Sequence, residues 1–157
     1  MAVDLGRLAV DSRRMSIQLE QFTDRYTEAL GLSAAQAYLL LYILHHSDPG
    51  TSLTQMHREF GFAKPSLCGM LKRLQKNGFI QVAPCQEDGR RKLLSSTAKA
   101  AALEPVLART LDSSSRAVYQ GFSEEELAQL FRLQQKMLSN LSNRPMPEPS
   151  IKEASTL

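Results

Sequence analysis

At 157 residues and 17.5 kDa, the chain has the size of one ordinary domain, with too little material for two independent ones. Its 43% hydrophobic and 22% charged residues are the composition of a soluble globular protein and speak against wholesale disorder. The formal net charge is +3, a weak argument for any partner until its distribution along the chain is considered.

The longest apolar run, Ala37 to Leu44, stops at eight residues, well below the roughly 20 that a membrane span needs. Asp4 and Arg7 stand where a secretory signal would carry its apolar stretch. With only two cysteines besides, no disulfide framework is indicated and a reducing cytoplasm is the expected location. Between Lys64 and Lys92 lie seven basic residues and two acids, so this segment carries +5 and the rest of the chain −2. Less than a fifth of the protein thus holds the whole positive excess. Such concentration is the footprint of a phosphate-binding surface, with a merely solvated basic face as the alternative.

In chain order, Leu8, Met15, Leu19, Phe22, Tyr26 and Leu30 recur at helical steps and predict one long helix closed by Gly31. Ser33 and Gln36 form a capping box that opens an almost wholly apolar, hence central, helix. The turn residues Ser47-Asp48-Pro49-Gly50 end it. Ser52 and Gln55 offer a second box for a short helix running to about Phe60. After the tight connection Gly61-Phe62-Ala63-Lys64, Pro65 fits the first turn of a further helix, where Leu67, Met70, Leu71 and Leu74 form the buried stripe. Two helices joined so closely, the second amphipathic, are a helix-turn-helix candidate.

Asn77-Gly78 closes that helix, and Phe79–Val82 reads as a strand. A polar loop containing Asp88-Gly89 follows, and Lys92–Ser95 returns as the partner strand, which together make a basic wing. Thr97 starts a helix with Leu103, Val106, Leu107, Thr110 and Leu111 in helical repeat. Ser123 and Glu126 give a capping box, with a Phe122–Leu127 staple, for a last helix striped by Leu127, Leu130, Phe131, Met137, Leu138 and Leu141. Pro145, Pro147 and Pro149 predict an unpacked tail.

This ordered set resembles the MarR family of winged-helix transcription regulators. Leu32-Ser33-Ala34-Ala35-Gln36 is similar to the family's Leu-Thr-x-x-Gln helix opening. Gly61 through Ile80, ending in Leu74, Gly78, Phe79 and Ile80, is similar to its recognition-helix pattern. Asp88-Gly89-Arg90 resembles its Asp-x-Arg wing tip, and Ser95 to Ala100 its Ser-Leu-Thr-x-Lys-Gly segment. Ala63 departs from the usual serine or threonine N-cap, Ser96 from leucine and Ala100 from glycine.

The resemblance implies a mainly α fold with a small two- to three-stranded β-wing. Residues 1–143 would form one winged-helix domain: a DNA-binding lobe at about 33–97, dimerisation helices at about 5–30 and 98–143, and a flexible tail at 144–157. It further implies a homodimer acting on double-stranded DNA and regulated by a small-molecule effector of unknown identity; from the residues themselves, no cofactor and no metal are expected.

Taking 100° per residue, the side of the recognition helix opposite its leucines holds Pro65, Gly69, Lys72 and Lys76, flanked by Ser66 and Arg73. Lys64 and Ser66, at the helix N-terminus, are the candidates for base edges or first-turn phosphates, and Lys72, Arg73 and Lys76 for backbone contacts. Gly69 fits either close approach to DNA or small-residue packing against a neighbouring helix. By the resemblance Arg90 enters the minor groove, whose negative potential suits a guanidinium. Asp88 would hold Arg90 in place, while Arg91 and Lys92 would meet the DNA backbone.

Phe22, Tyr26, Tyr38 and Tyr42 are candidate lining for the effector pocket, or simply an aromatic core. Cys68 and Cys85 are candidate redox cysteines, or small structural ones. His45, His46 and His57 read as helix caps rather than zinc ligands. The Ser-x-x-Lys spelled by Ser96-Thr97-Ala98-Lys99 has no partner motif, so an enzyme is not expected. A winged-helix adapter that binds protein and not specific DNA is the rival, opposed by the positive charge on both helix and wing.

Overall fold

The structure, a computed structural model, describes residues 2–84 and 91–143. The wing tip at 85–90, with Cys85, Asp88 and Arg90, and the expected tail at 144–157 lie outside the described residues. In order come α1 (Leu5–Thr27), a 3-10 turn (Glu28–Leu30), α2 (Ala34–His45), α3 (Leu53–Phe60), α4 (Lys64–Lys76), β1 (Ile80–Pro84), β2 (Lys92–Ser96), α5 (Ala98–Val118) and α6 (Glu124–Asn143). The chain divides into two compact units, Met1–Val118 and Tyr119–Leu157.

In the first unit, α2 is the centre, as its composition demands: Ala37, Leu39, Leu40 and Ile43 are fully buried. Met56 of α3, Leu67 and Leu74 of α4 and Leu107 of α5 complete the core around it. Both expected capping boxes are present. Ser33 Oγ accepts the Gln36 N–H at 3.2 Å while the Ser33 N–H reaches Gln36 Oε1 at 3.0 Å. Ser52 and Gln55 repeat the pattern at 3.2 and 2.9 Å. The Asp24 carboxylate accepts the Ala34 N–H at 2.6 Å, a negative charge at the positive end of α2 that ties α1 to it.

The expected stripe of α1 is packed at one end only. Thr23 and Thr27 are its buried residues, Phe22, Tyr26 and Leu30 are half-buried, and Leu8, Met15 and Leu19 are exposed. The helix proper stops at Thr27, because its last residues tighten into the 3-10 turn before Gly31 takes a left-handed φ of 68°. Only its C-terminal turns are packed within this unit.

The two strands pair antiparallel, Ile80 with Ser96 and Val82 with Leu94. They start and end slightly differently from the expectation: Phe79 precedes the sheet as a buried residue, and pairing runs on to Pro84 and Ser96. A bridge from Thr51 to Leu94 supplies the short third member of the wing sheet.

In the second unit, the Ser123 and Glu126 capping box opens α6, with bonds of 2.8 and 3.2 Å. The Glu125 carboxyl is held below the usual carboxylate range by a backbone hydrogen bond and by the Ser123 hydroxyl. No residue of α6 is buried: Leu127 and Leu130 are half-buried, and Phe131, Met137, Leu138 and Leu141 are exposed. Among the described residues, no single helix is long and apolar enough to cross a membrane.

Candidate nucleic-acid interface

Burial of Leu67, Leu71 and Leu74 fixes which way α4 faces. Lys64, Pro65, Ser66, Gly69, Lys72, Arg73 and Lys76 are all exposed on its other sides, and Cys68 is half-buried at the margin. A Cβ built on Gly69 would meet nothing within 4 Å, so small-residue packing against a neighbouring helix does not account for this glycine. Among the described residues, the lysines and the arginine of α4 form no ion pair, so their charge is available to an anion. Ala63 precedes the helix in extended conformation and gives no side-chain cap, leaving the first-turn N–H groups without that partner.

Strand alternation splits the cations of the wing. Lys92 and Leu94 face α4 and line a cavity of about 490 Å³ with Cys68, Leu71, Lys72 and Val82. Arg91, Leu93 and Ser95 face the other way, into a groove of about 800 Å³ shared with Ser52, Gln55 and Arg58. Arg91 and Lys92, which the sequence reading treats as one backbone-contacting pair, therefore serve opposite faces of the wing. Arg58, exposed on α3, is a further cation beside this surface; it lies before the basic segment that begins at Lys64 and so does not stand out in the charge distribution.

The remaining candidates fall into place around this surface. Phe22 packs on Tyr26 at a centroid distance of 5.3 Å, while Tyr42 stacks on His46 at 3.9 Å and meets Phe60 edge-on at 5.4 Å. Neither the cavity beside α4 nor the groove behind the wing is lined by Phe22, Tyr26, Tyr38 or Tyr42. The histidines act locally, as the spacing suggests: His46 Nδ1 lies 2.7 Å from the Tyr42 carbonyl oxygen and His57 Nδ1 2.6 Å from that of Phe62. His45 pairs with Glu104 at 3.3 Å. No group of three metal-ligating residues occurs among the described residues.

The Ser-x-x-Lys stretch has structural work of its own. Ser96 Oγ is 2.7 Å from Ser47 Oγ, Thr97 donates to the Gly78 carbonyl at 2.6 Å, and Lys99 donates to the Asn77 carbonyl at 2.6 Å while lying over the Phe79 ring.

Residues 30–91, which span α2, the helix-turn-helix and the first wing strand, match the MarR family. The match covers the winged-helix lobe. Solved structures extend the likeness to most of the chain at the level of fold. The transcriptional regulator SlyA superposes with a TM-score of 0.76 at 22% identity, covering 89% of this chain and 95% of its own. MepR of S. aureus, solved as a DNA complex, gives 0.76 at 23% identity, covering 84% and 96%. A mutant of E. coli MarR complexed with operator DNA gives 0.71 at 22% identity, covering 85% and 93%. In these MarR-like folds, as in this one, helices dominate and a two-stranded antiparallel sheet forms the wing.

Proposed function

We propose that this MarR-type chain is a sequence-specific, DNA-binding transcription regulator that acts as a homodimer. The observation that carries this reading is the outward face of α4, where Lys64, Ser66, Gly69, Lys72, Arg73 and Lys76 are exposed together beside a basic wing. Lys64, Pro65, Ser66 and Gly69 take the base edges and first-turn phosphates of the major groove, and Lys72, Arg73 and Lys76 the backbone. Arg90, supported by Asp88, reads the minor groove, with Arg91 beside it on the phosphates. That MepR and a MarR mutant, both similar to this chain in fold, were solved with DNA supports DNA as the partner.

Dimerisation follows from the apolar residues each terminal helix leaves in water. α1 exposes Leu5, Leu8 and Met15, and α6 exposes Phe131, Leu138 and Leu141. Faces of this kind call for a second copy. A two-fold dimer sets its recognition helices one DNA turn apart, about 34 Å, and so reads a pseudo-palindrome. Bound there, the protein represses by occluding polymerase. A small ligand that favours a DNA-incompetent spacing, held near Phe22, Tyr26, Tyr38 and Tyr42, releases it. Oxidation of Cys68, or of Cys85, is the second release route. The residues 1–143 then work as one DNA-binding domain, in the cytoplasm, without catalysing a reaction.

The test is selection of a site from random-sequence DNA, followed by fluorescence anisotropy on that site and on a scrambled duplex at two salt concentrations. One dimer per site, with tighter and salt-sensitive binding to the selected sequence, is the expected result. Equal binding to both duplexes, or a salt slope near zero, would instead assign the wing and helix to a protein partner. Peroxide that leaves operator affinity unchanged removes the cysteine route.

A further inference from the structure

We propose that the groove behind the wing, walled by Arg58 of α3 and Arg91, holds a phosphate of the DNA backbone, making Arg58 a DNA contact outside the recognition helix. This rests on the DNA-binding reading given above and adds a contact to it. Alternation along the wing separates its cations. Lys92 turns toward α4 and shares a cavity with Lys72, whereas Arg91 turns away and shares its groove with Arg58. A ribbon seated in a minor groove has a sugar–phosphate strand on each side. Each face of this wing accordingly carries one cation of its own and one from a helix of the lobe: Lys92 with Lys72 on one side, Arg91 with Arg58 on the other.

The groove has the shape and chemistry for this role. Its volume of about 800 Å³ is large enough for a backbone segment, and its lining includes Ser95 as well as the two arginines. Asp48 also lines it, so two guanidinium groups face one carboxylate, and among the described residues Asp48 pairs with neither. Guanidinium groups bind phosphate oxygens through two parallel N–H bonds, which suits fixed positions better than lysine would. The opposite wall is held close. Gly50 has φ +115°, and a Cβ there would come within 3.0 Å of the Leu94 carbonyl oxygen, so the turn before α3 is seated directly on β2.

The experiment compares Arg58→Gln, Arg58→Lys and, as a control for removing one positive charge elsewhere, Arg109→Gln of α5. All are exposed positions, so folding is expected to survive and is checked by circular dichroism. Anisotropy titrations across a salt series on the selected and scrambled duplexes give the slope of log K against log salt. Arg58→Gln should lower that slope by about 0.9 per half-site and weaken both duplexes by the same factor. Arg58→Lys should restore the slope, and Arg109→Gln should not change it.

An unchanged slope for Arg58→Gln, with wild-type protein binding normally, overturns the inference. Loss confined to the selected duplex also overturns it, because Arg58 would then read a base. Failure of the wild-type protein to bind either duplex would instead remove the DNA-binding reading itself.

Discussion

Replacing Gly69 by alanine should push stability and DNA affinity in opposite directions. The residue lies within α4, with no positive φ and with open space where a Cβ would go. Alanine is favoured over glycine in an exposed helix interior by about 1 kcal/mol. Nothing in the surroundings offsets that gain, so the folding equilibrium should shift by roughly fivefold and Tm rise by about 2–4 °C. Urea unfolding must be run at one protein concentration, since association adds its own contribution to apparent stability. The added methyl group projects from the face assigned to DNA. Overpacking of a close contact costs about 1–3 kcal/mol, so affinity for the selected duplex should fall by about fivefold to 150-fold. A loss of stability would refute the open-space reasoning. A gain in stability with unchanged affinity would show that the glycine does not approach DNA closely, and would confine the contacts to the flanking side chains.

Two further predictions concern a cap and an interface. Ala63→Ser, placed in an extended N-cap that lacks a side-chain bond, should stabilise the protein by about 1 kcal/mol; a fall in the urea midpoint would count against an uncapped α4. Leu138→Ala removes an exposed side chain of α6 that burial in a dimer would stabilise by about 1.5–3 kcal/mol per copy. Sedimentation should then find the dimer weakened roughly a hundredfold to ten-thousandfold with helicity retained, and an unchanged dimer would take Leu138 out of the interface.

The local signals in the sequence were legible because they act over three or four residues. Ser33–Gln36, Ser52–Gln55 and Ser123–Glu126 each close reciprocally as their spacing demands. The direction of α4 followed from Leu67, Leu71 and Leu74 in the same way. What periodicity could not give is which apolar stripe finds a partner. Leu8, Met15 and Leu19 repeat as regularly as buried residues do, yet they remain in water, while Thr23 and Thr27 take the interior positions. Periodicity reports a face and leaves open what covers it. Arg58 was illegible for a related reason: it stands alone on α3, before the basic segment begins at Lys64, and only the turn of the wing brings Arg91 to the same groove.

The elements assigned to DNA are fastened to one another at several points, which bears on how binding could be regulated. The start of α5 grips the end of α4: the Thr97 hydroxyl, the Thr97 N–H and the Lys99 ammonium donate to the carbonyls of Gly78, Phe79 and Asn77 at 2.6, 3.1 and 2.6 Å. The ammonium also lies at the negative end of the recognition helix, where a cation is favoured. β2 is held in turn by Thr51, whose N–H and carbonyl both bond Leu94, and by the Ser47 hydroxyl, which accepts the Ser96 N–H at 2.9 Å. In the proposed complex, helix α4 and wing would therefore meet DNA already ordered with respect to each other, and little of the binding energy would be spent on arranging them. Loosening one from the other would break these bonds together, several of them half-buried. In the proposed dimer, joined through α1 and α6, a releasing ligand would meet far less resistance in altering the spacing between the two copies, because that would leave this clamp untouched. Hydrogen exchange with a releasing ligand bound should then keep the amides of Leu94, Ser96 and Thr97 protected; their exposure would move the switch into the DNA-binding lobe.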